Sequence, residues 1–206
     1  MTVFDPRLFS EVFITLFVIM DPPGTVPIFL GLTGAMTARQ RNRAARQAVL
    51  VALGVIAAFA FFGQSILSYL HISLPALQAS GGLLLLLVAM ELLTGKMEEP
   101  KPSGNGTVNV ALVPLGTPLL AGPGAIVATM VFVQGNDGTA ADWVSIALGV
   151  DAVHLALFLT MRFANVIHRV LRESGVILVT RIAGLLLAAI AVQLIADAVE
   201  AFIKAA

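Results

Sequence analysis

Six stretches of this chain are apolar for about twenty residues each: 8–33, 47–70, 75–95, 111–134, 142–163 and 177–200. A helix of about 20 residues crosses a hydrocarbon core of about 30 Å, so each stretch is long enough to span a bilayer. A soluble domain could not cover so much apolar surface. With 58% apolar and 12% charged residues, the chain carries about half the charge of an ordinary soluble domain. The short connections leave no room for a soluble domain. We therefore expect an all-α integral membrane protein, a single transmembrane domain over 1–206 built from six transmembrane helices. The opening "MTVFDPRLF" sets Asp5 beside Arg7 and leads into a run too long for a removable signal, so it reads as the start of a retained first helix.

The basic residues alternate between the connections. Arg39, Arg41, Arg43, Arg46, Lys96, Lys101, Arg162, Arg169 and Arg172 fall on one side of a six-span topology, against Arg7 and Lys204 on the other. By the positive-inside rule the nine face the cytoplasm and both termini are expected outside it. The net charge is zero and there is no Cys. Nucleic acid is thus excluded as a partner, as are thiolate chemistry and Cys-based metal sites.

Within the first run stands "IMDPPGTVPIF", residues 19–29, where an aspartate, three prolines and a glycine oppose an uninterrupted helix. Pro23-Gly24 recurs as Pro123-Gly124, "ALGV" at 52–55 recurs at 147–150, and "GLLLLLVAMELL" from Gly82 matches "GLLLAAIAVQLI" from Gly184. Three matches in the same order divide the chain into two repeats, 1–100 and 101–206. Three spans per half force the second to enter from the opposite side. The expectation is a 3+3 inverted-topology repeat with broken helices 1 and 4, an arrangement of secondary transporters in which paired breaks mark a midplane site. Asp21 can cap a half-helix that starts at Pro22, and Gly122 can cap one that starts at Pro123. Pro114 and Pro118 in "VPLGTP" would distort the chain before the second break. The freed N–H groups and the positive dipole ends would face an anionic group, and the freed carbonyls an ammonium or cation. The candidate substrate-binding residues are Asp21, Pro22, Pro23, Gly24, Thr25, Gly122, Pro123 and Gly124. Packing kinks satisfied by neighbouring helices are the other account of such prolines.

"IMDPPGTVPIF", "VPLGTPLLAGPG", "SGGLLLLLVAMELL" and "TRIAGLLLAAIAVQLIADAV" resemble the MarC family of six-helix bacterial and archaeal membrane proteins, which includes SnatA-type small neutral amino acid transporters. Asp21, Pro22, Gly24 and Pro27 match its first signature, Pro114, Pro118, Gly122 and Pro123 the second, and Arg181, Gly184, Gln193 and Asp197 the last helix. The resemblance implies a cytoplasmic (inner) membrane permease for small neutral amino acids such as alanine or glycine, proton-coupled and able to act in export. That family commonly has a larger apolar residue where Pro23 stands and Asn where Thr25 stands. Thr25 keeps a hydroxyl without the amide's extra donors, so the substrate preference can shift there.

Ionisable residues within spans are costly and point to function. Asp21 fits either a helix cap or a partner for a proton or a substrate ammonium. Asp151 and His154 fit a proton relay or a structural pair on one side of the fifth span. Arg181 could pair with Glu91 as an inner gate, or anchor its helix by snorkelling. Thr37 and Gln40 fit a capping box. The glycines at 81, 82 and 184 fit close helix packing. No metalloprotease pattern, nucleophile set or Walker motif is present; we expect no enzyme activity, no cofactor and no metal. The expected partners are the small-molecule substrate, protons, membrane lipid and a second copy in a homo-oligomer. A channel-like facilitator of another small polar solute is the alternative function.

Overall fold

The computed structural model describes residues 3–34, 36–95 and 120–205. Its elements are α1 (Pro6–Met20), α2 (Pro22–Thr33), α3 (Ala38–Tyr69), α4 (Leu74–Thr94), α5 (Pro123–Gln134), α6 (Ala140–Arg162) and α7 (Ala164–Ala205). Among the described residues there is no strand. Five helical stretches are long and apolar enough to cross a membrane: Pro6–Thr33, Ala38–Tyr69, Leu74–Thr94, Ala140–Arg162 and Ser174–Lys204. The fourth expected span, 111–134, is represented by the 12-residue α5. Pro114 and Pro118, like Lys96 and Lys101, lie outside the described residues.

Local chemistry sets the helix starts. The Asp5 carboxylate accepts from the N–H groups of Arg7 and Leu8, at 2.8 and 3.2 Å, and Ser73 caps α4 through Ala76. Thr37 and Gln40 form the expected capping box, and Thr139 with Asp142 forms another. α3 runs back through the basic stretch to Ala38, because Arg, Gln and Ala are good helix formers once the first turn is capped. α7 bends at Arg172, whose φ of 53° and ψ of 178° leave the helical region. That bend separates a short amphipathic lead from the long apolar segment.

The helices pack in two clusters. The larger joins α1, α2, α3, α5 and α6 around Leu16, Phe29, Ile56 and Leu157. The smaller joins α4 and α7 with the end of α1 through Val18, Leu85, Ala89, Leu187 and Ala191. Many large apolar side chains, such as Phe62, Leu87, Leu155 and Leu185, remain exposed, the surface expected where lipid is the solvent.

The α4–α7 seam is reciprocal. A Cβ on Gly82 would lie 2.7 Å from Ile195 Cγ1 and 2.8 Å from the carbonyl oxygen of Ala191. One on Gly184 would lie 3.2 Å from Leu93 Cγ and 3.3 Å from the carbonyl oxygen of Ala89. Gly82, Ala89 and Leu93 correspond to Gly184, Ala191 and Ile195 at one constant offset in the chain. Advancing from 82 towards 93 in α4 meets α7 from 195 back towards 184, so the two helices are antiparallel.

α3 and α6 are antiparallel too. Phe61 stacks on Trp143 at one end with centroids 5.4 Å apart, while Phe158 lines one cavity with the arginines at the start of α3 at the other. Asp5 N–H donates to Ser145 Oγ at 2.8 Å, which places the start of α1 at the Trp143 end. Arg39, Arg41, Arg43, Arg46, Arg162, Arg169 and Arg172 thus share one end of the bundle, and Arg7 and Lys204 the other.

A methyl group at the seam has no room, whereas Gly54 in α3 has nothing within 4 Å of its Cβ position. Gly82→Ala is expected to lower stability by about 1–3 kcal/mol. Gly54→Ala is expected to leave it unchanged or raise it by up to about 1 kcal/mol. Thermal unfolding midpoints of the purified full chain in detergent check the contrast.

Candidate functional site

The chain breaks at Asp21 because two successive prolines follow it. Pro22 and Pro23 carry no N–H and cannot continue the hydrogen bonding of α1. Asp21 takes a left-handed conformation, φ 39° and ψ 67°, ending α1 with its own N–H on Phe17 O at 3.1 Å. It then caps α2: Oδ1 accepts from Gly24 N–H at 3.2 Å, and its carbonyl accepts from Thr25 N–H at 3.1 Å.

This differs from the expected break that offers free donors. At α2 two of the terminal N–H groups do not exist and the next two are bonded to Asp21. What remains is an acceptor. Asp21 is 7% exposed, and its Oδ2 is buried without a hydrogen-bond partner. Any Cβ on Gly24 would collide with this carboxylate and would lie 3.2 Å from Thr180 Oγ1. The glycine therefore leaves one small volume to the Asp21 carboxylate and the Thr180 hydroxyl of α7. Thr25 is buried, and its hydroxyl donates to Pro22 O at 2.7 Å, so its hydrogen is spent inside the first turn of α2.

The second break is different. Gly122 takes the N-cap position of α5 in an extended conformation, φ −63° and ψ 159°, with no side-chain cap. Its carbonyl accepts from Ala125 and Ile126, at 3.1 and 3.2 Å. Pro123 is exposed and Gly124 buried. A Cβ on Gly124 would collide with Leu85 of α4 and lie 3.5 Å from Ile19 Cγ2. Ile19 is two residues before Asp21, so the end of α1 meets the start of α5. One presents a carboxylate oxygen, the other an N-terminal dipole end without a side-chain cap.

Asp151 and His154 form no hydrogen bond with each other, although Asp151 lies near enough to act on the ring electrostatically. Asp151 is exposed, whereas His154 is 2% exposed. Positions three apart differ by about 60° around a helix axis, enough to place one outside and the other inside. The His154 ring meets Val150 O through Nδ1 at 2.7 Å, and Nε2 is buried without a partner. Glu91 and Arg181 are both exposed on neighbouring helices. Among the described residues the ion pairs are Arg7–Glu11 and Lys204–Glu200, so of the two roles open to Arg181 the pair with Glu91 is not formed. The seam turns Ala89, Leu92 and Gly184 inward and these two charges outward. Gln193 instead donates to Asp197 at 2.6 Å, one turn further along α7. Thr180 escaped the sequence reading because a single threonine in an apolar helix has no pattern; only the fold places it beside Asp21.

A family profile described as "MarC family integral membrane protein" matches residues 7–203. A UPF0056 membrane protein of Methanocaldococcus jannaschii is 36% identical, over 95% of this chain and 98% of its own length. The UPF0056 membrane protein YhcE of Escherichia coli is 34% identical, over 97% and 95%. YvbG of Bacillus subtilis, also a UPF0056 membrane protein, is 34% identical, over 90% of each chain. No solved structure matches the chain.

Gly24→Ala is expected to displace the Asp21 carboxylate and to lower stability by about 1–3 kcal/mol. Thr180→Val keeps the shape and removes only a hydroxyl, and is expected to change stability by less than about 1 kcal/mol. Unfolding midpoints in detergent compare the two directly.

Proposed function

The chain belongs to the MarC family of integral membrane proteins, and on that premise we propose that it is a secondary transporter of small neutral amino acids such as alanine or glycine. The observation that carries this is the buried, unpartnered Asp21 Oδ2 at the end of α1, the helix whose Ile19 meets the start of α5. A neutral amino acid is a zwitterion. Its ammonium group needs an acceptor and its carboxylate needs donors, so one break of each kind suits it better than two donor ends would. Asp21 with Thr180 takes the ammonium, and the α5 N-terminus takes the carboxylate. Pro22, Pro23 and Gly124 hold the two ends in place, while Thr25 and Gly122 shape the first turns beside them. Asp21 also provides a carboxylate that can exchange a proton during the cycle, and His154 a second proton-accepting group.

The reciprocal Gly82–Gly184 seam and the equal lengths of α2 and α5, 12 residues each, support a six-span chain with inverted halves at 1–100 and 101–206. On this account both termini lie outside the cytoplasm and net flux can run outward. Rocking of one half against the other would open the site alternately to each side.

The test is counterflow of labelled alanine and glycine into proteoliposomes loaded with unlabelled substrate, with and without an imposed pH gradient. Saturable counterflow that responds to the gradient is expected. Asp21→Asn retains an oxygen to cap Gly24 but loses the charge, so it is expected to fold normally and lose at least about tenfold in rate. Wild-type flux in that variant would leave Asp21 as a cap alone. Absence of counterflow by folded protein would overturn the substrate class.

A further inference from the structure

The start of α3 runs against helix electrostatics. The N-terminal end of a helix is positive and favours acidic residues, yet α3 has none in its first turn and carries Arg39, Arg41, Arg43 and Arg46 within its first nine residues. Arg41 is held inward, donating through Nη2 to Thr33 O at the end of α2 at 3.3 Å. The other three are exposed and recur at helical spacing on one face of α3. They are not spread over a flat surface. Together with Gln40, Asn42 and Phe158 of α6 they line a cavity of about 530 Å³, within the range of ligand sites.

We infer that this cavity is a binding site for a phosphate-bearing anion, the head group of an anionic phospholipid in the adjoining leaflet. Three guanidinium groups supply the fork geometry that phosphate oxygens favour, and the amides of Gln40 and Asn42 add neutral donors. Among the described residues no carboxylate lines the cavity. Phe158 gives it one apolar wall, which suits a ligand with a glycerol and acyl portion better than a free ion. The cavity also lies at the bundle end shared with Arg162, Arg169 and Arg172, where basic pockets between spans meet charged head groups. The site is separate from the helix breaks and does not depend on the transport reading.

The experiment is native mass spectrometry of the detergent-solubilised full chain, titrated with phosphatidylglycerol or with phosphatidylcholine of the same acyl chains. One saturable phosphatidylglycerol adduct is expected, favoured about tenfold over phosphatidylcholine. The double variant Arg39→Gln/Arg43→Gln should abolish that preference, while Arg43→Lys should keep part of it. Arg169→Gln, outside the cavity, should keep all of it. Unfolding midpoints without lipid establish that each variant is folded. Equal binding of the two lipids, or an equal loss in Arg169→Gln, would overturn the site. Inorganic phosphate that binds the lipid-free protein and displaces phosphatidylglycerol at similar concentration would retain the anion site but overturn the lipid as its source.

Discussion

A helix can be interrupted inside a bilayer only if the chain satisfies the peptide groups that the interruption exposes, because no water is available to do so. Asp21 meets that constraint for the donors. Its N–H closes α1, its carbonyl and one carboxylate oxygen take the next available donors of α2, and the prolines remove the donors that would otherwise be stranded. The same economy leaves one carboxylate oxygen over. The structural solution and the chemical opportunity therefore share a side chain, and the missing side chain of Gly24 makes room for it.

The neighbourhood of this break depends on close approach elsewhere. Gly124 admits Leu85 of α4 beside Ile19 of α1, which sets the start of α5 against the end of α1. The reciprocal glycines of α4 and α7 let those helices meet at backbone distance. α7 in turn delivers Thr180 to Asp21. In a bilayer, apolar side chains gain little from leaving lipid, so such contacts rely on shape and small residues more than on hydrophobic burial.

Much of this was legible in the chain. Run length and low charge pointed to a membrane protein of helices, and the Asp-Pro-Pro-Gly stretch marked the break to the residue. The Thr37–Gln40 box located the start of α3. Internal matches picked out Gly82 and Gly184 before any contact was known, since a symmetric packing requirement leaves the same small residue at equivalent positions. The charged residues were read less well. Asp151 and His154 stay neighbours on α6, but one is exposed and the other buried with no bond between them, and Glu91 and Arg181 both face outward without pairing.

What the sequence by itself determined was local: where caps and prolines start or stop a helix, which connections are basic, and that Pro23-Gly24 recurs as Pro123-Gly124. Backbone donors, proline rings and apolar run lengths act over a few residues, so their consequences can be read from order alone. Tertiary structure decided the rest. It made the first break an acceptor by folding the Asp21 carboxylate back on Gly24, brought Thr180 to it from a helix far along the chain, and set three arginines beside Phe158 in one open cavity. Each of these depends on helix rotation and on side chains meeting across helices, and one-dimensional spacing does not encode either.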